Sequence, residues 1–249
     1  MPILRGGRRR ARSGVVSIAV PHPPRPQIPN GYYHVSARGA RQQPLFFDEV
    51  DYTRLRSLLQ MTVERFGWNC FAYALLPNHY HLFVQTPEPN ISAGMEILNH
   101  RYAVRFNTRY GLAGHAFDRR FHSVVVVREP HFLELARYIA LNPVRAGLCA
   151  IPGDWPWSSY VATVGATRPP DFLSVDFVRS LFSDVDGVGG TAFAEYVASA
   201  PDHVGRDLFG HGLVAATETW LDQPMPYTPG KRSASVRTSR AAGRPTTLR

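Results

Sequence analysis

The hydrophobic period changes several times along the chain, and each change marks a predicted element. Tyr32-Tyr33-His34-Val35-Ser36-Ala37-Arg38 is rich in aromatic and β-branched residues and is closed by Gly39, which predicts a strand. Asp48 is placed to cap a helix that carries Leu55, Leu58, Leu59, Thr62 and Phe66 at helical spacing and stops at Gly67. Residues 68–76 and 79–85 read as two β-rich strands joined by Leu76-Pro77-Asn78. A second helix opens at Asn90, keeps Ile91, Met95, Leu98, Tyr102 and Phe106 on one stripe, and ends at Gly111. Val124 to Val127 predicts a buried strand, and Pro130 suits the first turn of a third helix running to about Leu141. Strand, helix, strand, strand, helix, strand makes a βαββαβ unit. The fold class expected is therefore α+β, a ferredoxin-like (RRM-like) core with an antiparallel sheet and a helix added after it.

Outside this core the pattern fades. Residues 1–29 are rich in Arg and Pro and lack periodicity, which predicts a disordered basic tail, and residues 224–249 read the same way. Residues 30–165 hold the predicted core, and residues 166–223 form an acidic helical C-terminal region with short helices at Val175 to Phe182 and Ala192 to Ala200. No internal repeat is visible. No apolar run approaches the roughly 18 residues of a membrane helix. Val15 to Val20 follows an Arg cluster, but it is short for a signal-peptide core and runs into Pro21-His22-Pro23-Pro24. Cys70 and Cys149 supply neither a disulfide framework nor a four-cysteine zinc site, so a cytoplasmic, nucleoid-associated protein is expected.

Charge sharpens that picture. The net charge of +9 is unevenly spread: each tail holds six cationic side chains and no acid, residues 31–146 carry +4, and residues 147–225 carry −7. A basic core domain with basic ends points to a polyanionic partner, although tails of this kind also serve solubility. Arg38 and Arg41 follow the first strand, Arg119, Arg120 and His122 precede the fourth, and Arg101, Arg105 and Arg109 recur every four residues on the second helix. Such groups suit phosphate positioning, with a solvated face an equal alternative for the Arg101–Arg109 stripe. Tyr32, Tyr33 and Phe121 are candidates for base stacking or for ordinary core packing.

The candidate chemistry centres on His79-Tyr80-His81. Side chains two apart on a strand share a face, so both imidazoles can converge on one cation while Tyr80 points into packing. A lone His-x-His is weak evidence; Tyr138 strengthens it. Taking Phe132 as zero and advancing 100° per residue, the apolar stripe of the third helix spans about 300° to 40°, Tyr138 lies near 240° and Asn142 near 280°. A phenol there borders the helix–sheet interface, and Asn142 one turn on can offer a carbonyl oxygen. Pro143 disfavours helical geometry at Asn142, which puts the spacing at risk.

These residues carry a resemblance. Pro77-Asn78-His79-Tyr80-His81-Leu82 and Arg137-Tyr138-Ile139-Ala140-Leu141-Asn142-Pro143-Val144-Arg145-Ala146-Gly147-Leu148 resemble single-tyrosine HUH transposases of the IS200-like type. Tyr33-His34-Val35, Arg38-Gly39, Phe106-Asn107-Thr108-Arg109 and Trp155-Pro156-Trp157-Ser158-Ser159-Tyr160 look like further signatures of the REP-associated tyrosine transposase branch, over about residues 30–200. The resemblance implies Mg²⁺ or Mn²⁺ held by His79, His81 and Asn142, and Tyr138 as a nucleophile that leaves a 5′-phosphotyrosine. It implies as partner the single-stranded DNA hairpins of repeated extragenic palindromes, with Arg145 beside the arginines above as a DNA contact, and monomeric action. Two other readings stay open: a non-catalytic single-stranded nucleic-acid binder on the same fold, and a metal hydrolase, which lacks an Asp or Glu near residues 79–81.

Overall fold

A computed structural model describes residues 26–127, 129–182 and 189–199. The predicted tails, apart from residues 26–29, and much of the acidic region lie outside the described residues. In chain order the elements are β1 (Gly31–Arg38), α1 (Glu49–Phe66), β2 (Asn69–Leu76), β3 (His79–Thr86), α2 (Ile91–Tyr110), β4 (His122–Val125), α3 (Glu129–Arg145), α4 (Tyr160–Thr163), α5 (Val175–Ser180) and α6 (Gly189–Ala198). The strands form one antiparallel sheet in the order β2-β3-β1-β4, the ferredoxin-like arrangement expected from the sequence.

Strand alternation gives the sheet two different faces. Tyr33 pairs with Val84 and Val35 with Leu82, and these residues point into a core with Leu55 and Leu59 of α1 and Met95, Leu98 and Tyr102 of α2. On the other face His34 pairs with Phe83, Ser36 with His81 and Arg38 with His79. There Phe71, Leu76 and Phe83 pack under Phe132, Leu135 and Ile139 of α3, together with Val178 of α5 and Phe193 of α6.

Local chemistry explains most element ends. The Asp48 carboxylate accepts hydrogen bonds from the backbone N–H groups of Val50 and Asp51 at 3.0 and 3.3 Å, capping α1 as expected. Gly67 and Gly111 close α1 and α2 in the left-handed region, at φ 65° and 64°. Asn90 does not cap α2 with its side chain. The buried Trp68 indole N–H needs an acceptor, and Asn90 Oδ1 supplies it at 2.7 Å while its amide N–H donates to the Phe66 carbonyl.

Three expectations shift. The fourth strand is His122–Val125, not Val124 to Val127, and it is half-buried because it forms an edge of the sheet. The third helix continues through Pro143 to Arg145. Proline removes one backbone donor, but so close to the helix end the loss is confined, and Ala146 N–H still reaches the Asn142 carbonyl at 3.0 Å. Tyr33 and Phe121 are buried core residues, and Tyr32 packs 4.5 Å from Phe132 by ring centroid, so none of the three presents a stacking surface.

The opposite edge, β2, is covered by the chain after α3. Leu75 N–H donates to the Trp157 carbonyl, the Trp155 indole N–H donates to the Leu75 carbonyl, and Ser159 exchanges hydrogen bonds with Tyr73. Such coverage removes a template for strand addition. The short C-terminal helices pack directly on the tyrosine-bearing helix: the Phe177 ring lies 5.8 Å from that of Phe132 by centroid, and the Arg137 guanidinium sits 4.1 Å over the Tyr196 ring.

One packing contact gives a direct test of the first core. A Cβ at Gly94 would lie 2.1 Å from Trp68 Cζ2, closer than any real contact. Gly94→Val is therefore expected to destabilise the fold by about 1–3 kcal/mol through overpacking. A urea unfolding midpoint equal to the wild type's would show that Trp68 moves aside freely.

Candidate active site

His79 and His81 project from β3 onto the face covered by α3, while Tyr80 points to the other core and its hydroxyl donates to Asn99 Oδ1. Both imidazoles are buried, and each has its Nδ1 engaged. His79 Nδ1 lies 2.7 Å from Asn78 Oδ1, and His81 Nδ1 lies 2.9 Å from Nε2 of His34 on β1. Helix α3 lays Tyr138 against this group. Its ring stands edge-on to His81 and to His34, with centroid distances of 5.4 and 5.7 Å. Asn142, one turn further and also buried, faces His79.

Four buried polar atoms in this cluster have no hydrogen-bond partner: Asn78 Nδ2, His79 Nε2, His81 Nε2 and Asn142 Nδ2. An unmet buried polar atom costs about 1–3 kcal/mol, so several at one place mark a site rather than a packing accident. Two imidazole lone pairs and a carboxamide oxygen form a donor set that suits Mn²⁺ and, with water completing the shell, Mg²⁺. Among the described residues no three His, Cys, Asp or Glu side chains converge on a common point, so the carboxamide is needed to complete such a set.

Burial dominates the electrostatics. Desolvation pushes the His34 imidazolium down to about 3, with His122 adding repulsion. Desolvation does the same to His79, to about 3, with Arg38 adding repulsion and the Asn142 side chain partly offsetting it. His81 is held well below its ordinary value by burial and then by His79, His34 and His122. All three rings are neutral near pH 7, the form that can offer a lone pair to a cation.

The remaining predicted residues divide by sheet face. Arg38 is buried at the end of β1, opposite His79, with Asp118 supporting its charge against desolvation. His122 is half-buried on β4 opposite Ser36, and the Arg145 guanidinium sits 5.4 Å over the Tyr138 ring. Arg41 is exposed in a turn at φ 54°, Arg119 is exposed 3.7 Å from Asp118, and Arg120 is exposed beside it. Arg101, Arg105 and Arg109 lie on α2, on the far side of the sheet from the histidines. Arg109 is also committed to ion pairs with Asp48 at 2.6 Å and Asp51 at 2.7 Å. Tyr110 is no rival nucleophile: its hydroxyl donates to Asp51 at 2.7 Å, and burial together with that carboxylate pushes its ionisation up.

Two members of the cluster had no role in the sequence reading: His34 and Asn78. His34 stands in the right strand phase to share a face with Ser36 and Arg38, but only the β1–β3 register reveals that it meets His81.

The chain is similar to known proteins over this region. The profile of the family described as Transposase IS200 like matches residues 27–142, a span that includes His34, His79, His81, Tyr138 and Asn142. A protein of Haemophilus influenzae described as a REP-associated tyrosine transposase is 28% identical over 135 residues, covering 49% of this chain and 76% of its own length. The structure of a REP-associated tyrosine transposase bound to a REP hairpin shares the fold with a TM-score of 0.51 at 21% identity, over 63% of this chain and 90% of its own. No helix among the described residues is long and apolar enough to cross a membrane. Over residues 27–142, then, this chain is similar to the IS200-like transposases.

Proposed function

We propose that the protein cleaves and rejoins single-stranded hairpin DNA, with Tyr138 as nucleophile and Mg²⁺ or Mn²⁺ held by His79, His81 and Asn142. The observation that carries the reading is the meeting of β3 and α3, which sets a phenol against His81 with His79 beside it, two neutral imidazoles whose Nε2 atoms are buried and unpartnered. A REP hairpin is the DNA bound by the structural relative, and the family is one of transposases.

When bound, the cation supplies Lewis-acid polarisation of the scissile phosphate. His79, His81 and Asn142 hold and orient it from two elements of a rigid core. Tyr138 gives up its phenolic proton and bonds through Oη to phosphorus; the P–O3′ bond breaks and the 3′-oxygen takes up a proton. One phosphodiester is exchanged for a phosphotyrosine, so a 3′-hydroxyl can reverse the step and rejoin strands. Arg38 and Arg145, beside the cluster, are the cations best placed for the DNA backbone.

An end-labelled single-stranded hairpin incubated with Mn²⁺ is expected to give a protein–DNA adduct on a denaturing gel, and EDTA is expected to abolish it. An equal adduct in EDTA would remove the metal from the account. Tight hairpin binding with no adduct would leave a binding protein on a catalytic fold.

A further inference from the structure

We propose that His34 is a positioning residue for His81: its Nε2 accepts the His81 Nδ1 proton, fixing the tautomer and ring plane that present His81 Nε2 to the cation. The inference rests on reading His81 as a ligand.

The geometry is specific. His34 and His81 have ring planes 21° apart, centroids 5.2 Å apart and a nitrogen–nitrogen contact of 2.9 Å, so the rings meet edge to edge in nearly one plane. A neutral imidazole carries one proton, and the nitrogen without it is the only one that can ligate. If His34 donated instead, the His81 proton would sit on Nε2, a buried atom with no acceptor and no capacity to hold a cation. If His34 accepts, His81 Nε2 keeps its lone pair toward the site. The second histidine repeats the pattern: Asn78 Oδ1, which can only accept, lies 2.7 Å from His79 Nδ1 and leaves His79 Nε2 as the ligating atom. Partners of this kind are the usual means by which a protein orients metal-binding histidines. His34 sits on β1, an inner strand between β3 and β4, and its ring is also braced by Tyr138, so its own position is well fixed.

The test combines two readouts that do not depend on turnover. Histidine ¹⁵N NMR of the metal-free protein is expected to show His81 as the Nδ1–H tautomer, and this needs no variant. Free Mn²⁺ measured by EPR is expected to show binding about 10–100-fold weaker in His34→Leu than in the wild type. His34→Gln, whose amide oxygen can accept the same proton, should recover most of that loss. An Nε2–H tautomer at His81 in the wild type would overturn the inference. So would unchanged Mn²⁺ affinity in a His34→Leu protein that unfolds at the wild-type urea concentration. If the wild type itself binds no Mn²⁺, the ligand reading beneath fails, and this inference with it.

Discussion

Tyr138→Phe is expected to lower the rate of hairpin cleavage by about 10⁴-fold or more while changing hairpin affinity less than about twofold. Removing a nucleophile removes the covalent step altogether, which is why such substitutions rank among the most damaging in enzymes. The phenyl ring keeps its edge contacts with His81 and His34, so the site's shape is retained. Single-turnover cleavage of a labelled hairpin beside an equilibrium binding titration separates the two effects. Tyr110→Phe serves as the control. It loses a hydrogen bond to Asp51 and about 1 kcal/mol of stability, but it should cleave at the wild-type rate. Residual cleavage by Tyr138→Phe within tenfold of the wild type would place the nucleophile elsewhere.

The second large effect is on stability against pH. His34 and His79 are each depressed from an ordinary 6.5 to about 3 in the folded protein. Between these values the unfolded chain binds protons that the folded protein refuses. The stability held by keeping the rings neutral is therefore complete above pH 6.5 and is lost as pH falls toward 3. Each ring contributes about 1.4 kcal/mol per pH unit inside that window, or about 2 kcal/mol between pH 7 and pH 5. Coupling between neighbouring rings makes the total less than additive. The urea unfolding midpoint of the metal-free protein should fall clearly from pH 7 to pH 5, and His34→Leu should show a shallower fall. A midpoint unchanged over this range would mean that the imidazoles can charge in place, and so that the cluster is not shielded from water.

Much of this site was legible in the chain because it obeys two simple periods. Two-residue alternation put His79 and His81 on one face, and the 100° step put Tyr138 and Asn142 beside the apolar stripe of the next helix. The family motifs then joined the two segments. What the sequence could not supply was the pairing across strands and the side on which each helix packs. Arg101, Arg105 and Arg109 were open to either phosphate positioning or a solvated face, and the sheet lies between them and the histidines, because α2 covers the face that holds Tyr80 and α3 the face that holds His81. His34 was hidden for the same reason: its partner is 47 residues away, and only the strand register brings the two rings together. Pro143 misled the helix end, since one lost backbone donor weighs little beside the burial of Leu135, Ile139 and their neighbours. The packing of α5 and α6 was also out of reach, because short helices take their stability from tertiary contact rather than from a pattern of their own.

The central claim, that Tyr138 forms the covalent link, is tested most directly by locating the DNA on the protein. A hairpin adduct formed with Mn²⁺, digested with nuclease and trypsin, should yield one nucleotide-bearing peptide, residues 138–145, which lies between Arg137 and the cleavage site after Arg145. Fragment masses should place the phosphate on Tyr138. A phosphate on any other residue, or strand cleavage with no modified peptide, would contradict the account.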